Sequence, residues 1–148
     1  MRLIRIGKLL AISIVTISFF CVVYVLAEGE PAKKTVRLSN GEEVIDLRGE
    51  WDEHIEYQGS YSGLRNHTDK IEITQEGKAF VGVKLHDTRN WPKGTEAIKG
   101  ELQKKGFKTI YINRPDVGWT PCKWEISENG NTIVIDDERV VKATLKRK

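Results

Sequence analysis

The chain has 148 residues, 39% of them hydrophobic, with 24 Lys and Arg against 21 Asp and Glu. The formal net charge of +3 includes no basic tract of the kind that tracks a phosphate backbone, so nucleic acid is excluded as a partner. Two cysteines are too few for a disulfide framework, so the folded part must be held by its sheet and core.

The first eight residues carry Arg2, Arg5 and Lys8 and no acid, and residues 9–27 are uncharged and largely apolar. Val25-Leu26-Ala27 then precedes Glu28. A basic head, an apolar stretch and small residues at minus three and minus one form a secretory signal. The same 19 uncharged residues are just long enough to span a bilayer. Two readings stay open: a signal peptide cut after Ala27, or a signal anchor retained over residues 9–27. Both place the remainder outside the cytoplasm, periplasmic or extracellular, because the positive flank stays inside. Phe20 before Cys21 lacks the small residue that a lipoprotein site wants.

Removing the three basic head residues from the total of 24 leaves 21 bases against 21 acids, so the net charge belongs to the signal. Cys21 belongs to it as well. Cys122 is then the single thiol of the exported part, expected to be a buried bystander. A catalytic thiol wants a histidine poised beside it, and the nearest in sequence is His86.

The chain therefore divides into residues 1–27 as signal or anchor, residues 28–48 as a linker with a short hairpin, and residues 49–148 as one β-barrel domain. Within the linker, residues 35–38 and 44–47 flank a Ser39-Asn40-Gly41-Glu42 turn signal. From Gly49 onward, short alternating runs predict eight strands over residues 50–57, 70–75, 78–85, 97–102, 107–113, 123–127, 132–135 and 140–147. Trp51, Ile55, Ile71, Ile73, Val83, Ile98, Trp124 and Ile133 are read as facing inward. Glu53 shares the parity of Trp51 and Ile55, which aims a carboxylate into the interior, either toward a polar ligand group or into an ion pair with Lys or Arg. Gly100 on the inner face would open the wall locally.

The links alternate in length. Glu76-Gly77, the Lys104 region and the Asn129 region are tight, whereas residues 58–69, 86–96 and 114–122 are long. In an up-and-down meander all three long links emerge at one end. The fold class expected is therefore all-β, an eight-stranded antiparallel up-and-down barrel closed by turns at one end and rimmed by loops at the other.

Gly49-Glu50-Trp51 at the head of the first strand resembles the G-x-W of lipocalins and their calycin relatives, and the resemblance runs from Gly49 to Arg147. It implies a compact lipocalin-like barrel whose Trp51 plugs the closed end. It also implies that a basic residue of the last strand, here Arg147, lies across that ring in a cation–π contact worth about 0.5–2 kcal/mol. The chain differs from typical lipocalins in its shorter body and in having no Thr-Asp-Tyr motif.

The loop end collects Tyr57, Tyr61, Arg65, Arg89, Trp91, Arg114 and Trp119, aromatic and arginine side chains of the kind binding rims favour. These are the candidate ligand-binding residues, with Glu53, Gly100 and Trp124 in the barrel interior. The alternative for Trp91 and Trp119 is that they fold over the open end as core. His54, His67 and His86 lack ligand spacing, so no metal site is expected. Asp136-Asp137-Glu138 matches a charged turn rather than a calcium loop. No Gly-x-Ser-x-Gly or phosphate loop is present. The expected function is non-enzymatic, without a cofactor: an exported barrel binding a small, largely apolar ligand at its rim. The alternative is a protein-binding envelope module, a periplasmic inhibitor-type barrel using the same rim, and a lesser one is an unrecognised enzyme.

Overall fold

Period-two alternation becomes sheet through nearly all of the chain that the computed structural model describes, residues 33–148. The segment expected to be a signal or anchor and the first residues of the expected linker lie outside these described residues. A small hairpin comes first, with β1 (Thr35–Arg37) paired to β2 (Glu43–Ile45) around the Asn40-Gly41 turn. The barrel strands follow: β3 (Gly49–Tyr57), β4 (His67–Glu76), β5 (Ala79–Lys84), β6 (Glu96–Gln103), β7 (Gly106–Arg114), β8 (Gly118–Pro121), β9 (Lys123–Ile126), β10 (Thr132–Asp136) and β11 (Val141–Arg147). They form one antiparallel sheet of nine strands in the order β8-β7-β6-β5-β4-β3-β11-β10-β9.

The two ends of that order are consecutive in the chain, and this nearly closes the barrel. β8 pairs with β7 from Tyr111↔Pro121 to Arg114↔Gly118, and β9 pairs with β10 from Ile133↔Ile126 to Asp136↔Lys123. Both halves run in the same direction, broken at Cys122, whose N–H still donates to the Ile110 carbonyl at 3.0 Å. Counted as one broken strand, they make eight around the barrel. Two expected boundaries move. The long link over residues 114–122 shrinks to residues 115–117 because Gly118–Pro121 joins the sheet. β4 begins at His67 rather than residue 70, which brings His67 and Asp69 into the wall.

The half of the interior nearest the tight turns is filled. Trp51, Ile71, Ile73, Phe80, Ile98, Leu102, Phe107, Ile133, Ile135 and Leu145 are all essentially inaccessible there. Trp124 packs edge-on against Phe107, with ring centroids 5.3 Å apart, and covers Gly106, so it is interior as expected. Val83 was expected inside and is not. The inner face of β5 is Phe80, Gly82 and Lys84, set by the pairs Gln75↔Phe80, Ile73↔Gly82 and Ile71↔Lys84 across a two-residue turn. Residues directly opposite share a face, so inward Ile71 and Ile73 bring Lys84 and Gly82 inward with them. Gly82 has no room for a side chain, since a Cβ there would come within 2.7 Å of Ile98. Gly100 faces inward but opens nothing: the Phe80 ring lies where its Cβ would be, at 2.9 Å.

The closed end is sealed from below by the small hairpin. Gln75 accepts from the Leu47 N–H at 2.8 Å and donates to the Ile45 carbonyl at 3.1 Å, fastening the hairpin exit to β4. Trp51 is fully buried and donates its indole N–H to the Leu47 carbonyl at 2.8 Å. The Arg147 guanidinium lies over the Trp51 ring, 4.6 Å from its centroid, and donates to the carbonyls of Arg48 (3.1 Å) and Asp46. Trp51 thus plugs one end of the barrel and Arg147 covers the plug.

Candidate functional site

Above the filled half the barrel is hollow. A cavity of about 920 Å³ opens between the loops that follow β3, β5 and β7. Three layers build it. The floor is charged, the wall is mostly apolar, and the rim is mixed.

The floor joins three adjacent strands. Glu53 on β3 and Asp69 on β4 are direct register partners, and Lys84 on β5 sits one step beyond. All three are buried, at 0%, 7% and 3% exposure. Lys84 Nζ donates to Glu53 Oε2 and lies 3.1 Å from Asp69 Oδ2. Burial works against the charge on Lys84, but Glu53 and then Asp69 outweigh it and raise its pKa above the ordinary value. Asp69 Oδ1 accepts from the Lys70 N–H at 2.8 Å. Glu53 Oε1, buried, has no hydrogen-bond donor among the described residues, and buried Asp69 Oδ2 has only the Lys84 ammonium, which meets it off-axis.

The wall is Ile55, Tyr57, Ala97, Ile112, Val140 and Val141. Tyr57 stands beside His67, with ring centroids 5.9 Å apart, so His67 belongs to the wall. A second charged group closes one side. Arg114, 8% exposed, pairs with Asp137 at 3.1 Å and with Asp116. Asp137 in turn accepts the N–H groups of Arg139, Val140 and Val141 at 3.0, 2.7 and 2.9 Å through Oδ1. Burial disfavours the charged Asp137, but those three donors and Arg114 hold its carboxyl below the usual range. The acidic turn at Asp136-Asp137-Glu138 is therefore a backbone clamp that ties the β10–β11 turn to β7. Arg114 lines the cavity as expected, but its guanidinium is committed to two acids.

At the rim, Tyr61 and Arg65 come from the first loop, and Arg89 and Trp91 from the second. The first loop is anchored at its start: Gln58 N–H donates to the Val140 carbonyl at 2.7 Å, and a side chain at Gly59 would strike the Arg139 carbonyl at 2.7 Å. The second is held by Thr88, whose N–H donates to the Trp91 carbonyl (2.7 Å) and whose hydroxyl accepts the Trp91 N–H (3.0 Å). Trp91 thus has a fixed backbone and a half-buried ring on the cavity. His86 also reaches the cavity edge.

Trp119 departs from expectation. It is paired with outward-facing Asn113 on β7, and Lys99 lies over its ring at 4.0 Å from the centroid. It belongs to the outer wall, neither rim nor core, because the residues expected as loop became strand and took its alternation. Among the described residues no group of three or more His, Cys, Asp or Glu is placed to hold a metal ion, and no helix is long and apolar enough to cross a membrane.

Cys122 sits half-buried at the β8–β9 break, its thiol directed to the Thr120 carbonyl at 3.4 Å. Burial pushes its pKa up to about 11. The thiolate is the reactive form, so iodoacetamide labelling of native protein at pH 8 is expected to run at least about 100-fold slower than that of a free cysteine. The rate should climb about tenfold per pH unit, and guanidinium should remove the protection. Prompt labelling of the native protein at pH 8 contradicts this environment.

Floor, wall and rim together define a cup-shaped β-barrel with a charged base. No protein-family model, no curated protein and no solved structure matches the chain.

Proposed function

We propose that this chain is an exported, non-enzymatic β-barrel, lipocalin-like in kind, that binds a small and largely apolar ligand in its loop-rimmed cup. The observation that carries this reading is the cavity itself, about 920 Å³ within a barrel whose other half is packed solid. Its apolar wall supplies affinity, and Trp91 and Tyr61 supply contact area at the mouth. Export rests on the basic head and apolar stretch at the start of the chain.

Native mass spectrometry of protein purified from its secreted fraction tests it, with a co-purifying small mass as the expected result. Tryptophan fluorescence adds position. A lipophilic probe such as 1-aminoanthracene should change the emission of wild-type protein, Trp91→Ala should abolish most of that change, and Trp119→Ala should leave it intact. No probe response in any of the three proteins sinks the cup.

A second reading has its own support. Tyr61, Leu64 and Val117, at 39%, 49% and 64% exposure, are the large hydrophobic side chains exposed among the described residues, and all three lie on loops at the mouth. Such a rim suits a protein partner, as in an envelope inhibitor-type barrel. A partner captured by wild type and lost on Leu64→Asp with Val117→Asp, with no small mass bound, favours it.

A further inference from the structure

The ion group at the cup's floor is unbalanced in both charge and hydrogen bonding. By formal charge, Glu53, Asp69 and Lys84 sum to one negative charge at a site that solvent barely reaches. Buried carboxylate oxygens are ordinarily satisfied, because leaving a charged acceptor without a donor is costly. Yet Glu53 Oε1 is buried on the cavity floor with no donor among the described residues, and Asp69 Oδ2 has only the off-axis Lys84 ammonium. The other buried charges do not relieve this: Arg114 is held by Asp116 and Asp137. Arg65 and Arg89 stand at the exposed mouth, His67 and His86 line the upper wall and edge, and the Lys70 ammonium lies on the outer face of β4 beside Lys148 and Asp52.

We propose that the floor is an amine subsite, in which a protonated primary amine on an apolar body donates to Glu53 Oε1 and Asp69 Oδ2. An ammonium brings three donors and one positive charge, which is what the floor lacks; a hydroxyl brings one donor and no charge. A carboxylate meets two like charges there. This inference rests on the cup reading and names the ligand class for it.

Calorimetric titration at pH 7 with phenethylamine, 2-phenylethanol and phenylacetate separates the two ideas. These share a ring and a short chain and differ chiefly in the polar end. The amine should bind about tenfold more tightly than the alcohol, the size expected of a charge-assisted hydrogen bond over a neutral one, and the acid should bind most weakly. In Glu53→Gln the advantage should fall to about twofold or less. Asp69→Asn is the second variant, since it leaves Lys84 paired with Glu53 and should lose most of the advantage too. Equal or tighter binding of the alcohol, or an amine advantage unchanged in both variants, overturns the amine subsite and leaves the cup standing. Failure of all three probes together with 1-aminoanthracene overturns both.

Discussion

Replacing Lys84 with Met should destabilise the protein by about 3–5 kcal/mol, the usual cost of removing one partner from a buried ion pair. Lys84 is 3% exposed and is the shared counter-ion of Glu53 and Asp69. Without it two carboxylates face each other as register partners in a barrel interior. For a domain of this size the loss corresponds to a fall in melting temperature of about 10 °C or more. Replacing the whole group, with Glu53→Met and Asp69→Leu added to Lys84→Met, should recover most of the loss, because an apolar layer needs no pairing. A single variant that melts within about 2 °C of wild type, or a triple variant no better than the single, contradicts the buried group. The pH dependence has a definite sign. The Lys84 pKa is raised in the folded state, so its contribution is complete below the ordinary lysine value and disappears as pH rises through the higher folded value. Wild-type stability should therefore decline at strongly alkaline pH, with that part of the decline absent from the triple variant.

Trp51→Ala should be similarly damaging, at about 3–5 kcal/mol, as for other buried aromatic deletions. The ring is fully buried, carries the Arg147 guanidinium on its face and gives its N–H to Leu47. Trp51→Phe isolates the last of these contacts. It keeps an aromatic ring under Arg147 but leaves the Leu47 carbonyl without its donor, for a loss of about 1–3 kcal/mol. Because the cavity lies at the other end of the barrel, Trp51→Phe should melt earlier yet bind the cup's probes as wild type does. Chemical denaturation and probe titration of the same sample check both halves. Lost binding at full folding would mean that the two ends are coupled.

Much of this architecture was legible in the residues. Each run expected as strand became one, and the alternating link lengths placed the loops together at one end. The parity of Trp51, Glu53 and Ile55 put a carboxylate inside, beside a lysine as one of its two readings allowed. The signals that failed were local ones with two equal answers. In and just after β5, Val81, Val83 and Leu85 alternate convincingly and predict an apolar inner face, yet Val81 and Val83 point outward and Lys84 points in. The decisive signal was present but not local. A two-residue turn at Gly77 pairs Ile71 with Lys84, and an inward Ile71 then leaves the lysine no other face. Trp119 failed for a related reason: residues 118–121 are too short to alternate visibly, and only pairing with β7 makes them strand.

Period-two patterning and link length are properties of neighbouring residues, and they were enough for an all-β barrel with its loops at one end; the plugged end was legible only through the G-x-W resemblance. That the barrel is half solid and half hollow, with a charged layer between the halves, emerges only from the folded sheet. That layer depends on register between three strands, in which residues 53, 69 and 84 meet. Hydrogen bonding across the sheet settles such a meeting, and no stretch of chain carries it alone.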